Sequence, residues 1–205
     1  MKQTLIKTAV LVFAISFSLA SCKKDKAETK NSFKYNQKES VIGTAMGFHF
    51  GLMYTGVYAI GVEFLENSLT VNYVSGSPDS FSGKGDVFDV YFLTDKETEI
   101  TTGVYNYLPV DSTTTSLKAF SIIGASASAL YINVDAASGT NQAPLDITGG
   151  KVTVTKNADE YEFTFDLKTS VNSTITGYYK GKPVIYAGGK KKSTISANGF
   201  SNPFR

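Results

Sequence analysis

The chain has 205 residues, 20 of them basic and 18 acidic, with one cysteine and one histidine. So even a charge balance excludes the basic excess that nucleic-acid binders carry, and a lone cysteine excludes a disulfide framework, a Cys-rich zinc site and a redox pair. With 14 Phe, 12 Tyr and 18 Gly but no Trp, and no long run of Ala, Leu, Glu and Lys at helical spacing, the composition is that of an all-β protein.

Lys2 and Lys7 precede an almost unbroken apolar run over residues 9–20, and the small residues Ala20 and Ser21 precede Cys22. These are the parts of a secretory signal. The run is broken by Ser16 and Ser18 and is shorter than the roughly 20 apolar residues of a spanning helix. Leu19-Ala20-Ser21-Cys22 looks like a bacterial lipobox, which predicts cleavage before Cys22, a diacylglycerol on its sulfur and usually an acyl group on the new amine. Two or three acyl chains, at about 0.8 kcal/mol per buried CH₂, anchor a protein where one would not. Loss of Lys2 and Lys7 with the signal brings the basic residues level with the 18 acidic ones. The predicted division is a signal peptide over residues 1–21, a lipidated flexible spacer over 22–40 and a single antiparallel β domain over 41–205. Lys23, Lys24, Asp25, Lys26, Glu28 and Lys30 crowd the spacer, which has too few apolar residues to order itself.

Residues 41–54 are apolar but punctuated by Gly43, Gly47 and Gly51, and they hold His49. Tyr58, Ile60, Val62 and Phe64 then alternate with Ala59, Gly61 and Glu63, predicting a strand with one buried face. Asn67-Ser68 turns the chain into Leu69, Val71 and Tyr73, giving a hairpin. Residues 75–85, dense in Ser, Gly, Pro and Asp, predict a loop. Residues 87–93 are apolar on both faces apart from Asp89, as in a central strand. A strand over 100–107 ends at Pro109, and two more are expected at 119–123 and 129–134. Residues 151–156 and the alternating Tyr161, Phe163, Phe165 and Leu167 flank a turn at residues 157–160. Residues 174–180 add a strand, and 183–186 begin another.

About nine or ten strands with short connections predict antiparallel neighbours, because parallel pairs need crossovers of a dozen or more residues. An antiparallel β-sandwich is the preferred architecture and a closed lipocalin-like barrel the alternative.

Several segments resemble small all-β lipoproteins of the Bacteroidetes cell envelope. They are Ser21-Cys22-Lys23-Lys24-Asp25, Gly103-Val104-Tyr105-Asn106-Tyr107, Gly149-Gly150-Lys151-Val152-Thr153-Val154, Tyr161-Glu162-Phe163-Thr164-Phe165-Asp166-Leu167 and Ile175-Thr176-Gly177-Tyr178-Tyr179-Lys180-Gly181. The resemblance covers roughly a third of the chain and implies a cell-envelope lipoprotein. It carries no catalytic residue across.

Chemistry-bearing residues are sparse. Ser-His-Asp catalysis would have to use His49, which stands between Phe48 and Phe50 with no nucleophile elbow nearby, and a histidine-based zinc site has too few ligands. His49 is therefore expected to be structural or half-exposed. The acid pairs Asp86 and Asp89, Glu97 and Glu99, and Asp159 and Glu160 are candidates for glycoside hydrolysis. Of these only Asp89 interrupts an apolar strand, and it is expected to face solvent. Asp79 and Asp86 are candidate calcium ligands, although the twelve-residue calcium loop is missing. Tyr54, Tyr58, Tyr73, Tyr91, Tyr105, Tyr107, Tyr131, Tyr178, Tyr179 and Tyr186 divide between core positions and a sugar- or lipid-binding surface. Lys190, Lys191 and Lys192 form a basic loop expected to be solvated.

The expectation is a non-enzymatic module without cofactors, anchored to the outer membrane through the lipid on Cys22, its periplasmic or surface face left open. It would bind a glycan, lipid or protein partner through its loops, and no nucleic acid. A lipocalin-like carrier of a small apolar ligand is the first alternative, and a carboxylate-based hydrolase the second.

Overall fold

The computed structural model describes residues 29–110, 116–124 and 127–187. Cys22 with its lipobox, and the basic run at 190–192, lie outside the described residues. The strands are β1 Ser32–Tyr35, β2 Lys38–Tyr54, β3 Val57–Glu66, β4 Leu69–Val74, β5 Ser77–Thr94, β6 Gly103–Leu108, β7 Ser121–Ile123, β8 Ala129–Asp135, β9 Leu145–Asn157, β10 Glu160–Thr169, β11 Thr174–Gly181 and β12 Val184–Tyr186. No helix occurs among the described residues.

The fold is all-β, and its sheet closes. The order β1-β11-β10-β9-β6-β7-β5-β3-β2 returns to β1, which pairs with β11 on one edge and β2 on the other. This nine-strand ring is the barrel alternative rather than the preferred sandwich. What closes it is β1, inside the stretch assigned from sequence to the spacer. Phe33, 1 % exposed, points into the core from this short strand, and residues 38–40 already belong to β2. The sheet is not wholly antiparallel either: β6 with β7, and β12 with β2, run parallel.

Inward-facing positions follow the period-2 pattern. Ile60, Val62 and Phe64 of β3, Phe88, Val90 and Phe92 of β5, Val152 and Val154 of β9, and Phe163, Phe165 and Leu167 of β10 form one buried cluster. Rings meet across the lumen: Phe64 lies 4.9 Å from Phe165 and 5.4 Å from Phe163, Phe88 lies 5.1 Å from Phe165, and Phe92 lies 5.2 Å from Tyr105, between centroids. A barrel of about eight strands is just wide enough for side chains to fill it, and here they do. A carried ligand would have to displace this ring cluster.

The predicted loop at 75–85 is mostly strand. Residues 77–83 of β5 pair with β4, forming an arm beyond the ring. Gly83 makes the bend: its φ of +95° suits glycine, and a Cβ there would lie 2.2 Å from the Ser68 carbonyl oxygen. The arm lies against the outside of the barrel, where Leu69, Val71 and Phe81 pack with Met46, Phe48, Leu65, Val87, Ala129, Tyr131, Val134 and Tyr186. One part of the wall is thus buried on both faces, and β3 shows it in an almost continuous buried run.

Candidate functional site

The outer wall beside the arm carries the chemistry. Ile60, Val62 and Phe64 of β3 and Phe88, Val90 and Phe92 of β5 point into the lumen, so Gly61, Glu63 and Leu65 face outward beside Tyr91, Asp89 and Val87, their register partners. The row through the middle reads Met46, Glu63, Asp89, Ala129 across β2, β3, β5 and β8. Two carboxyls therefore stand directly opposite each other, within about 5 Å at the Cβ atoms as any cross-strand pair is, with apolar neighbours on both sides.

Both acids are buried, Glu63 at 9 % and Asp89 at 3 % exposure. Glu63 Oε2 and Asp89 Oδ1 have no hydrogen-bond partner, and among the described residues neither acid has an ion pair. Burial, which disfavours the charged form, pushes the Glu63 carboxyl up to about 7. It raises Asp89 well above the usual carboxylate range, and the Glu63 charge adds to it. Burial also raises the phenols of Tyr91 and Tyr131, with the charges of both acids contributing. At neutral pH the pair holds at least one proton, because two adjacent charges in apolar surroundings are too costly. The expected solvent-facing position of Asp89 is corrected: the arm and its neighbours cover the wall that the strand pattern left open.

Next to this pair stand two groups of aromatic rings. Phe48 stacks on Tyr186 at 5.8 Å, and Phe50 stacks on Tyr91 at 4.6 Å. Tyr73, at the tip of the arm, shares a side-chain hydrogen bond with Tyr186, and burial lifts the Tyr186 phenol to about 12. Phe50 reaches Tyr91 across β3 because Gly61 lies between them; a Cβ there would be 3.0 Å from both rings. A register shift in β2 between His49 and Gly51 turns Phe50 outward. Beyond it Leu52 and Tyr54 are exposed, as is Tyr73.

The other candidates are separate. His49 is half-buried with Nδ1 2.6 Å from the Glu97 carbonyl oxygen, as expected of a structural or half-exposed histidine. Asp86 is not beside Asp89 but at the start of the barrel. There its Oδ2 accepts from Lys38 Nζ and Ser40 Oγ, both at 2.8 Å, and its Oδ1 accepts from the Asn133 amide at 3.0 Å. Its oxygens are thereby used, and Asp79 is exposed on the arm, so the two do not form a calcium site. Among the described residues no three of His, Cys, Asp and Glu gather to hold a metal. Glu99 pairs with Lys156 and Lys96, Asp159 with Lys182 and Glu160 with Lys180, while Glu97 is exposed. Tyr105, Tyr131 and Tyr179 are buried, and Tyr54 and Tyr73 lie on the surface.

Glu63 is the functional candidate that sequence reasoning missed. Its place opposite apolar Val62 and Phe64 marks an ordinary solvent-facing residue, and only the β3–β5 register shows that it meets Asp89. No protein-family model matches this chain, and neither the curated proteins nor the solved structures give a match.

Proposed function

We propose that this protein is a lipid-anchored cell-envelope binding module, without catalytic activity, that recognises its partner on the outer aromatic wall of the barrel. The carrying observation is where the rings are. Inside, they fill the lumen; outside stand two ring groups, Phe48 with Tyr186 and Tyr73, and Phe50 with Tyr91, with exposed Leu52 and Tyr54 on the same strand as Phe48 and Phe50. A closed barrel is compatible with a binding or a carrier role, but a filled lumen favours recognition from outside. Flat faces with phenol hydroxyls at their edges suit a glycan chain or a protein surface that offers both apolar area and hydrogen-bonding groups. The lipobox-like sequence at Cys22 supports the anchor, and the charged residues after it support a short spacer.

A carboxylate-based hydrolase has its two acids in Glu63 and Asp89, but both lie beneath covering side chains rather than in a cleft. Two surface depressions among the described residues, one between Asn36 and Asn172 and another beside Lys34 and Tyr178, include neither.

The test is thermal unfolding of the full chain against oligosaccharides, fatty acids and envelope protein extracts fractionated by size, repeated with Phe50→Ser. A ligand at about 100 times its dissociation constant adds about 2.7 kcal/mol of stability. An oligosaccharide or protein shift that disappears in Phe50→Ser is expected. A fatty-acid shift that survives Phe50→Ser would instead favour the carrier. Cys22→Ser should release the protein from the membrane fraction.

A further inference from the structure

The Glu63–Asp89 pair is not part of the two ring groups, yet it sits beneath the elements that build them. Its lateral neighbours Met46 and Ala129, and its neighbours along the strands, Leu65 and Val87, belong to the cluster completed by Leu69, Val71 and Phe81 of the arm and Tyr186 of β12. Arm and β12 are therefore packed onto a wall whose centre holds two facing carboxyls. Each of those carboxyls has a buried oxygen without a partner. One shared proton satisfies such a pair, by a carboxylic O–H donating to the facing carboxylate. Two ionised carboxyls have no such bond and repel each other where water is excluded.

We infer that Glu63 and Asp89 form a proton-operated latch. While they share a proton, the β4–β5 arm and β12 stay packed on the outer wall; when that proton passes to solvent, hydration of the two carboxylates requires the arm and β12 to lift. The barrel ring itself stays closed, because its lumen side is held by the separate ring cluster of β3, β5, β9 and β10.

The groups that face the pair leave it as the titrating element. Tyr91 on β5 and Tyr131 on β8 feel its charge, Asp146 on β9 acts on Tyr131, and Tyr186 on β12 bonds Tyr73 on β4. The phenols of Tyr91, Tyr131 and Tyr186, all raised by burial, are neutral over the range in which the latch opens. On β2, His49 turns to Glu97. Lys38, Glu66 and Asp86 form their own linked group at the start of β2. The latch concerns how the wall is held and does not depend on what the wall binds.

Amide hydrogen exchange on the full chain, at about pH 5.5 and about pH 8 and corrected for intrinsic exchange, tests it. In the natural protein, protection of residues 69–83 and 184–186 is expected to fall at least about tenfold relative to β9 and β10 at the higher pH. Glu63→Gln and Asp89→Asn each leave at most one charge, so either variant should keep its protection ratio constant. Loss of the pH effect in His49→Gln would overturn the latch and assign the effect to the histidine. A ratio unchanged by pH in the natural protein would also overturn it, as would an equal fall in Glu63→Gln and Asp89→Asn. Should one variant not fold, the other and the natural profile decide.

Discussion

Glu63 and Asp89 face each other on adjacent strands, on the side of the barrel wall that should meet water, and both are buried. Their burial follows from the arm. A strand pair exposed on one face commonly carries acids there at little cost, but β4 and residues 77–83 of β5 fold back over this stretch. The acids keep their places in the alternating pattern while their surroundings become apolar. A solvent-facing pair has become a proton-holding one.

The first consequence is a stability that declines as pH rises. In the unfolded chain Glu63 titrates near its ordinary value of 4.5, in the folded chain at about 7. Between those values the folded state binds more protons than the unfolded one, so stability is full below about pH 4.5 and is lost progressively toward pH 7. Asp89, raised as well, extends the loss upward. Glu63 alone corresponds to roughly 3 kcal/mol. Urea denaturation at intervals from about pH 4.5 to 8.5 should show the midpoint falling, and a midpoint that rises over this range would refute the assignment.

The opposite slope belongs to Glu99. Hydrogen bonds from Lys156 and Lys96 hold its carboxyl down at about 2, so its contribution is complete above its ordinary value of 4.5 and disappears as pH falls toward 2. Replacing Glu99 with Gln should flatten the acid limb of the stability profile and leave the alkaline limb alone. Calorimetric melts between about pH 2 and 5 check this, and an unchanged acid limb would show that the ion pairs are too solvated to matter.

Asp86 ties three strands together. With a nearly buried side chain accepting from Lys38, Ser40 and the Asn133 amide, it joins the first residues of β2 to β5 and β8 next to the seam that β1 closes. Asp86→Ala strands the Ser40 hydroxyl and the Asn133 amide and removes the partner of Lys38, and should cost about 3 kcal/mol. Asp86→Asn should lose less, because it retains an acceptor. Equal losses in the two would mean that the carboxylate charge, which both variants remove, holds the seam, and that the retained acceptor and side-chain volume of asparagine add nothing.

The strand pattern was readable because its inward residues are large and regular. Phe163, Phe165 and Leu167, like Ile60, Val62 and Phe64, announce a buried face by period alone. Closure was not readable. It depends on Phe33 and three neighbours amid charged residues, and on which edges they join. The outer ring groups were legible only as a list of tyrosines, since the turn of Phe50 onto Tyr91 needs the register shift in β2. Most hidden of all was Glu63, whose partner is 26 positions away in a strand whose register no local signal sets.

Gly61 offers the sharpest test of the outer wall. It sits beneath the Phe50–Tyr91 stack, with room for hydrogen only: a Cβ would be 3.0 Å from a ring carbon of each partner. Alanine requires both rings to shift by a few tenths of an ångström, whereas the methyls of valine enter the space between the rings and β3. Gly61→Val should therefore cost about 1 to 3 kcal/mol, drive Phe50 into solvent and abolish recognition on the wall while the lumen stays packed. Near-ultraviolet circular dichroism follows the ring environment, and titration with whichever ligand class shifts the melting temperature follows binding. If Gly61→Val separates the rings yet binds as tightly as the natural protein, the Phe50–Tyr91 stack is a packing element and the partner engages another part of the barrel.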